Sequence, residues 1–209
     1  RMAVAFYRAG DFEHGDEVGA PLAGRTLPKE LAREFNGFVN RRDAAFQDYR
    51  AALEALAKGK DAEASPPLDR ALAFFRTVRR PELPHTRGDA ALELAAAILA
   101  PPIAEADAAR AEQLASRAGD GQPARRAVVV AAALSRRGPS EEAEGQLRSV
   151  DEAALGPDWR LLVLETRWRL ARTDAERRAV AAAAGAIQPE KLGTDARRER
   201  LKALGSPRR

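Results

Sequence analysis

The residues able to do chemistry are few in this chain. It holds two histidines, His14 and His85, and no cysteine, which removes disulfides, thiolate metal sites and cysteine nucleophiles. The densest group with metal-binding potential is Asp11, Glu13, His14, Asp16 and Glu17. Carboxylates at that density can hold a hard cation, and the same residues equally make a solvated turn. No two histidines stand one helical turn apart, so the ligand set of a zinc protease is missing. Gly119-Asp120-Gly121 has the glycines of a phosphate loop but neither its lysine nor its hydroxyl, and it follows a helical pattern. It reads as a helix-terminating turn. His85 lies between Pro84 and Thr86 in a loop. No serine has a base beside it in sequence, although a triad assembled in space leaves no such trace. The expectation is no catalytic residue, no cofactor and no metal.

Basic and aromatic residues offer more. The net charge is +4 and the pI about 9.8. Only five of the 35 lysine-plus-arginine residues are lysines (29, 58, 60, 191 and 202). Arginine and alanine excess is what GC-rich codons produce, so a GC-rich bacterial source is expected. Charged residues make up 32% of the chain with both signs interleaved, the ordinary surface of a helical protein. Arginine pairs recur at 41-42, 79-80, 125-126, 136-137, 177-178, 197-198 and 208-209, several of them where they complement a helix C-terminus. From Lys191 to Arg209 seven basic residues face two acidic ones. Such a stretch is either the polar cap a helical array needs at its end or an electrostatic patch for an acidic partner, nucleic acid or anionic lipid. No aromatic interleaves its arginines, so single-strand stacking lacks a platform. Trp159 and Trp168 share one predicted helix and point about 180° apart; one is expected in the core and the other is a candidate contact anchor. The candidate partner contacts are therefore Trp159, Trp168, Arg197, Arg198 and Arg200.

The elements that position these residues are all predicted to be helices. Hydrophobic residues are 45% of the chain but aromatics only 5%, so the apolar fraction is mostly alanine, the best helix former. No run alternates like a strand. Thr26 and Pro28 open a long amphipathic pattern running to about Lys58, roughly 45 Å if continuous. Gly37 and Arg42 interrupt its stripe, leaving two helices or one bent helix open. Before it, Gly15 to Gly24 reads as irregular; after it, Gly59 and the run Lys60 to Pro67 read as a terminator. Further helices are predicted over 67–79, 88–99, 105–118, 123–137, 141–150, 159–172, 175–187 and 195–204, each bounded by glycine, proline or a capping residue. The longest apolar run, Ala127 to Leu134, is far short of the ~18 residues that span a bilayer. No signal peptide is visible. The Arg1-Met2 start leaves a processed start, a truncation and a cloning remnant open. Absence of cysteine fits the cytoplasm or a compartment where stray thiols are a liability and does not choose between them.

A repeat underlies the punctuation. Small and apolar residues recur four and seven positions apart in Ala71/Phe75/Val78, Ala111/Ala115/Ala118, Ala143/Leu147/Val150 and Ala179/Ala183/Ala186, at a spacing of about 36 residues. With Val130-Ala131, Leu134, Gly138, Ala143, Leu147 and Val150 the chain resembles the tetratricopeptide-repeat family, mainly over residues 88–190. Phe6-Tyr7-Arg8-Ala9-Gly10-Asp11-Phe12-Glu13 is similar to that family's first-helix end and turn, with Gly15 where alanine is usual. The unit around Leu170 and Ala179 departs further, with Asp174 for the turn glycine and Thr166-Arg167 for the small residues. The resemblance implies a fold of antiparallel helix pairs stacked as an α-solenoid. The expected organisation is a helical region with one long helix over 1–80, hairpin repeats over 81–190 and a basic cap or tail over 191–209. The implied function is a non-enzymatic scaffold or assembly subunit with a protein or peptide partner. The alternatives are an arginine-rich nucleic-acid-binding protein and a helical accessory domain of an envelope enzyme.

Overall fold

The computed structural model describes residues 2–22, 26–78, 83–99, 105–119, 121–192 and 194–205. Gly24, Arg79, Arg80, Pro81, Pro101, Pro102, Asp120, Gly193, Arg208 and Arg209, all singled out by the sequence, lie outside them. The described residues form eleven α-helices and no strand: α1 (Met2–Arg8), α2 (Phe12–Gly19), α3 (Lys29–Ala57), α4 (Asp61–Phe75), α5 (Arg87–Ile98), α6 (Glu105–Arg117), α7 (Pro123–Leu134), α8 (Glu141–Arg148), α9 (Pro157–Leu170), α10 (Asp174–Ala184) and α11 (Asp195–Gly205). Among the described residues no helix is long and apolar enough to cross a membrane. Contacts divide the chain into Arg1–Ala90 and Ala91–Arg209, a boundary that falls inside α5.

The first unit is built on aromatic rings. It holds all seven phenylalanines and both tyrosines of the chain. Tyr7 stacks on Phe38 with ring centroids 5.3 Å apart, and Phe75 meets both Phe46 and Tyr49. α3 is one continuous helix and α4 packs along it. Two sequence expectations are corrected here. The stretch after Gly15 is not irregular: α2 runs to Gly19, and Ala20–Leu22 add a 3-10 turn. The glycines allow close approach, because a Cβ on Gly15 would run into the Tyr7 ring and one on Gly19 would lie 2.8 Å from Phe35. Lys60 to Pro67 is not a terminator either, since α4 starts at Asp61 with Pro66 and Pro67 inside it. The prolines remove the hydrogen bonds to the carbonyls of Ala62 and Glu63. Both are exposed residues, where water replaces the lost donors, while Ala64 and Leu68 are buried.

The second unit has a core of alanine, leucine and valine. α7 packs on α6, α8 and α9; α9 packs in addition on α8, α10 and α11. α7 and α9 are buried on nearly every side, α7 through Ala127, Val128, Val129 and Ala131 to Ala133, α9 through Trp159, Leu161 to Thr166 and Leu170. α8 and α10 bury one stripe each, Ala143 with Leu147 and Val180 with Ala184. Between α7 and α8 the turn residue Gly138 has φ 118°, open to glycine alone. Between α9 and α10 no residue takes a positive φ; Thr173 and Glu176 form a reciprocal capping box instead. Thr166, in a position where a small residue was expected, is fully buried and donates its hydroxyl to the Leu162 carbonyl at 2.7 Å. The fourth repeat set is out of register by one residue. Ala179, Ala183 and Ala186 are exposed, and Val180, Ala184 and Ile187 are buried in their place.

Candidate partner-binding groove

That register leaves an apolar hollow in the second unit. α8, α9 and α10 enclose a groove of about 380 Å³. Its floor is Leu147, Leu164, Leu170 and Val180, each buried, and its α10 wall is Ala179 and Ala183. The rim charges are already paired. Glu144 accepts from Arg172 at 3.2 Å and lies 3.5 Å from Arg148, and Arg167 pairs with Glu152. Glu176 accepts from the backbone N–H groups of Thr173 and Arg172, which hold its carboxyl below the usual range. A groove with an apolar floor and a self-neutralised rim selects for shape and apolar surface rather than for charge.

The residues that sequence offered as partner contacts stand elsewhere. Trp159 is a core residue, 5% exposed. Its indole N–H donates to Glu93 Oε1 at 3.2 Å, and the Arg125 guanidinium lies 5.3 Å from its ring centroid. Burial holds the Glu93 carboxyl above its ordinary value, against the pull of Arg125. Trp168 is half-buried against a cluster formed by Leu161, Leu164, Val180, Ala184, Ile187, Leu192, Leu201 and Leu204. Arg197 pairs with Asp158 and Arg200 with Glu165, two carboxylates of α9. Arg198 pairs with Asp195 and donates to the Pro189 carbonyl. The structure thus turns these arginines inward, onto their own unit.

The acidic group near the N-terminus is dispersed in the same way. Asp11 caps α2 and accepts from His14 Nδ1 at 2.8 Å, which holds that imidazole above its ordinary pKa. Asp16 accepts from Tyr7 and Arg42. Among the described residues no three His, Cys, Asp or Glu side chains are grouped to hold a metal ion. His85 is half-buried, with its backbone N–H donating to Asp89 and its carbonyl accepting from Arg76.

Sequence reasoning missed the groove because it chose the wrong alanines on α10. With alanine at 179, 181, 182, 183, 184 and 186, the helix has alanine on every side. The usable signal was the larger pair Val180 and Ile187, seven residues apart with Ala184 between them. Comparison with known proteins adds no name to this geometry, since no family model, curated protein or solved structure matches the chain.

Proposed function

We propose that the chain is a non-enzymatic scaffold or assembly subunit, that its second unit is a tetratricopeptide-like array of helix hairpins, and that the groove between α8, α9 and α10 receives the apolar side of a partner protein's helix. The groove carries the reading. Its floor is apolar, its rim charges already have partners, and the exposed alanines beside it let a second helix come close. The array is supported by the order of packing, in which α7 and α9 touch each other as well as their sequence neighbours, and α9 and α11 do the same. Buried central helices flanked by one-sided ones suit stacked hairpins.

Ala183→Arg tests it. The residue is exposed, so the substitution should change stability by no more than about 0.5 kcal/mol, while a guanidinium enters the groove. Proteins from a native extract retained by the parent should be lost from A183R, with the two forms melting alike. Retention of the same proteins by both forms would remove the groove from the function.

A further inference from the structure

The first unit has a cleft of its own. It lies between the end of α1, the middle of α3 and the end of α4, and its volume is about 750 Å³. Its apolar lining is the Phe38 and Phe74 rings with Ala5 and Ala9 opposite. The rings meet edge to face with centroids 5.5 Å apart. Phe38 is buried and Phe74 half-buried, while both alanines are exposed. The polar lining is Arg8, Arg41 and Thr77, so the described lining holds two guanidiniums and no carboxylate. The Thr77 hydroxyl already donates to the Phe74 carbonyl at 2.7 Å.

α3 sets out the charged side of the cleft. Glu34, Phe38 and Arg41 follow at steps of four and three residues, which puts them on one face. Glu34 accepts from one terminal nitrogen of Arg8 at 3.1 Å. That bond holds Arg8 beside the cleft and uses one of its five N–H donors. The adjacent arginines of α3 differ in what they meet. Arg42 is held by Asp16 and Asp43. Arg41 is exposed and has no ion pair or hydrogen bond with a described residue. Its Nη1 lies 3.8 Å from where a Gly37 Cβ would stand, so the guanidinium lies back along α3 rather than out in solvent.

The volume falls within the roughly 300–1,000 Å³ usual for small-molecule sites. Two cations of one sign select against a cationic ligand. Beyond the arginines, one threonine oxygen is the only side-chain polar group in the described lining, which suits a hydrocarbon body and leaves a sugar or a base without partners. A ligand with an apolar body and one anionic end meets both halves of the lining, and the planar guanidinium fork matches a carboxylate.

We propose that this cleft binds an apolar monocarboxylate, an alkyl or aryl acid. The hydrocarbon lies against Phe38, Phe74 and the two alanines, and the carboxylate sits on Arg41 with Arg8 beside it. The cleft belongs wholly to the first unit, so its test is independent of the groove in the second.

The full chain is titrated calorimetrically with decanoate and with naphthoate, and with decanol as the uncharged control. Each acid should bind at one site per chain, and decanol at least about tenfold more weakly than decanoate. Binding of one acid alone fixes the body as alkyl or aryl. Arg41→Met removes an exposed arginine without a partner, so it should melt like the parent and weaken acid binding about ten- to a hundredfold, as loss of a charge-assisted hydrogen bond does. Ala5→Glu, also at an exposed position, sets a carboxylate in the cleft wall and should weaken binding as much. Ala183→Arg, in the other groove, should bind the acids as the parent does. Failure of both acids to bind, equal affinity for decanol and decanoate, or acid binding that survives Arg41→Met and Ala5→Glu or is lost in Ala183→Arg overturns the site.

Discussion

Tyr7 ties together three helices of the first unit. Its ring lies on Phe38 of α3 and fills the space that Gly15 of α2 leaves by lacking a side chain. Its hydroxyl donates to Asp16 at 2.7 Å, and Arg42 donates to the same oxygen at 2.7 Å. Burial, and then the Asp16 carboxylate that accepts its proton, push the Tyr7 phenol up to about 12. A phenol whose folded pKa is raised gives stability that is whole below about pH 10, its unfolded value, and lost as pH climbs through the folded one. The chain has only two tyrosines, so an ultraviolet titration should show a resolvable Tyr7 step near 12 or triggered by alkaline unfolding. Tyr7→Phe should delete that step; its persistence in the variant would refute the assignment. None of this was legible in the sequence. Glycine was weighed there for backbone freedom, and the ring that makes Gly15 necessary is eight residues away on another helix. The pairing of Arg197 and Arg200 was hidden for a related reason. Counting charge along 191–209 finds a basic stretch, but their partners Asp158 and Glu165 are 39 and 35 residues distant.

At the scale of elements, local signals carried well and rotational register did not. Capping and turn residues placed most helix boundaries within a few residues, because Ser140, which accepts from the Ala143 N–H, and Thr173, boxed with Glu176, act within one helical turn. The facing of α10 depended on which alanines meet α9 and α11, and alanines do not differ in sequence. α11 shows what the basic end does. Leu201 and Leu204 are buried with Val180, Ala184 and Ile187, while Arg197 and Arg200 hold two α9 carboxylates. Deleting residues 195–209 removes two buried leucines, worth about 1.5–3 kcal/mol each, and leaves Glu165 without Arg200. The total is a large part of a typical domain stability of about 5–15 kcal/mol. The truncated chain should therefore melt well below the parent and aggregate through the face around Ile187. A truncation that melts like the parent and has lost affinity for DNA or anionic vesicles would favour the electrostatic patch over the cap.

Across the whole molecule, arginine is spent on pairs between elements. Arg8 reaches Glu34, Arg42 reaches Asp16, Arg70 reaches Asp48 and Arg87 reaches Asp69 in the first unit; Arg137 reaches Glu112 and Arg172 reaches Glu144 in the second. Composition showed the excess of arginine but not its use, since pairing depends on which helices meet. Taken singly, exposed pairs contribute little, but protonating the carboxylates removes them together and leaves a basic chain to repel itself. The Arg70 hydrogen bonds hold Asp48 below its ordinary range and those of Arg87 do so for Asp69. Desolvation lifts Asp16, and Tyr7 with Arg42 outweighs it, so that carboxyl also ends low. A depressed folded pKa gives stability that is present above the unfolded value, about 3.9 for aspartate, and lost as pH falls through the folded one. Glu93 acts in the opposite sense. Burial raises its folded pKa, so its contribution is whole below about pH 4.3 and lost as pH rises through the folded value. On acidification His14, raised by Asp11, and then Glu93 should therefore add stability first, and the aspartates should withdraw theirs afterwards. Melting temperature measured from pH 7 downward should hold level or rise slightly to about pH 5, then fall steeply below about pH 4. Glu93→Gln should shrink the early gain to the part that the raised His14 imidazole supplies, and leave the later fall in place. A melting temperature that declines evenly from pH 7, or stays flat to pH 2, would mean that the inter-element pairs do not govern the acid limb.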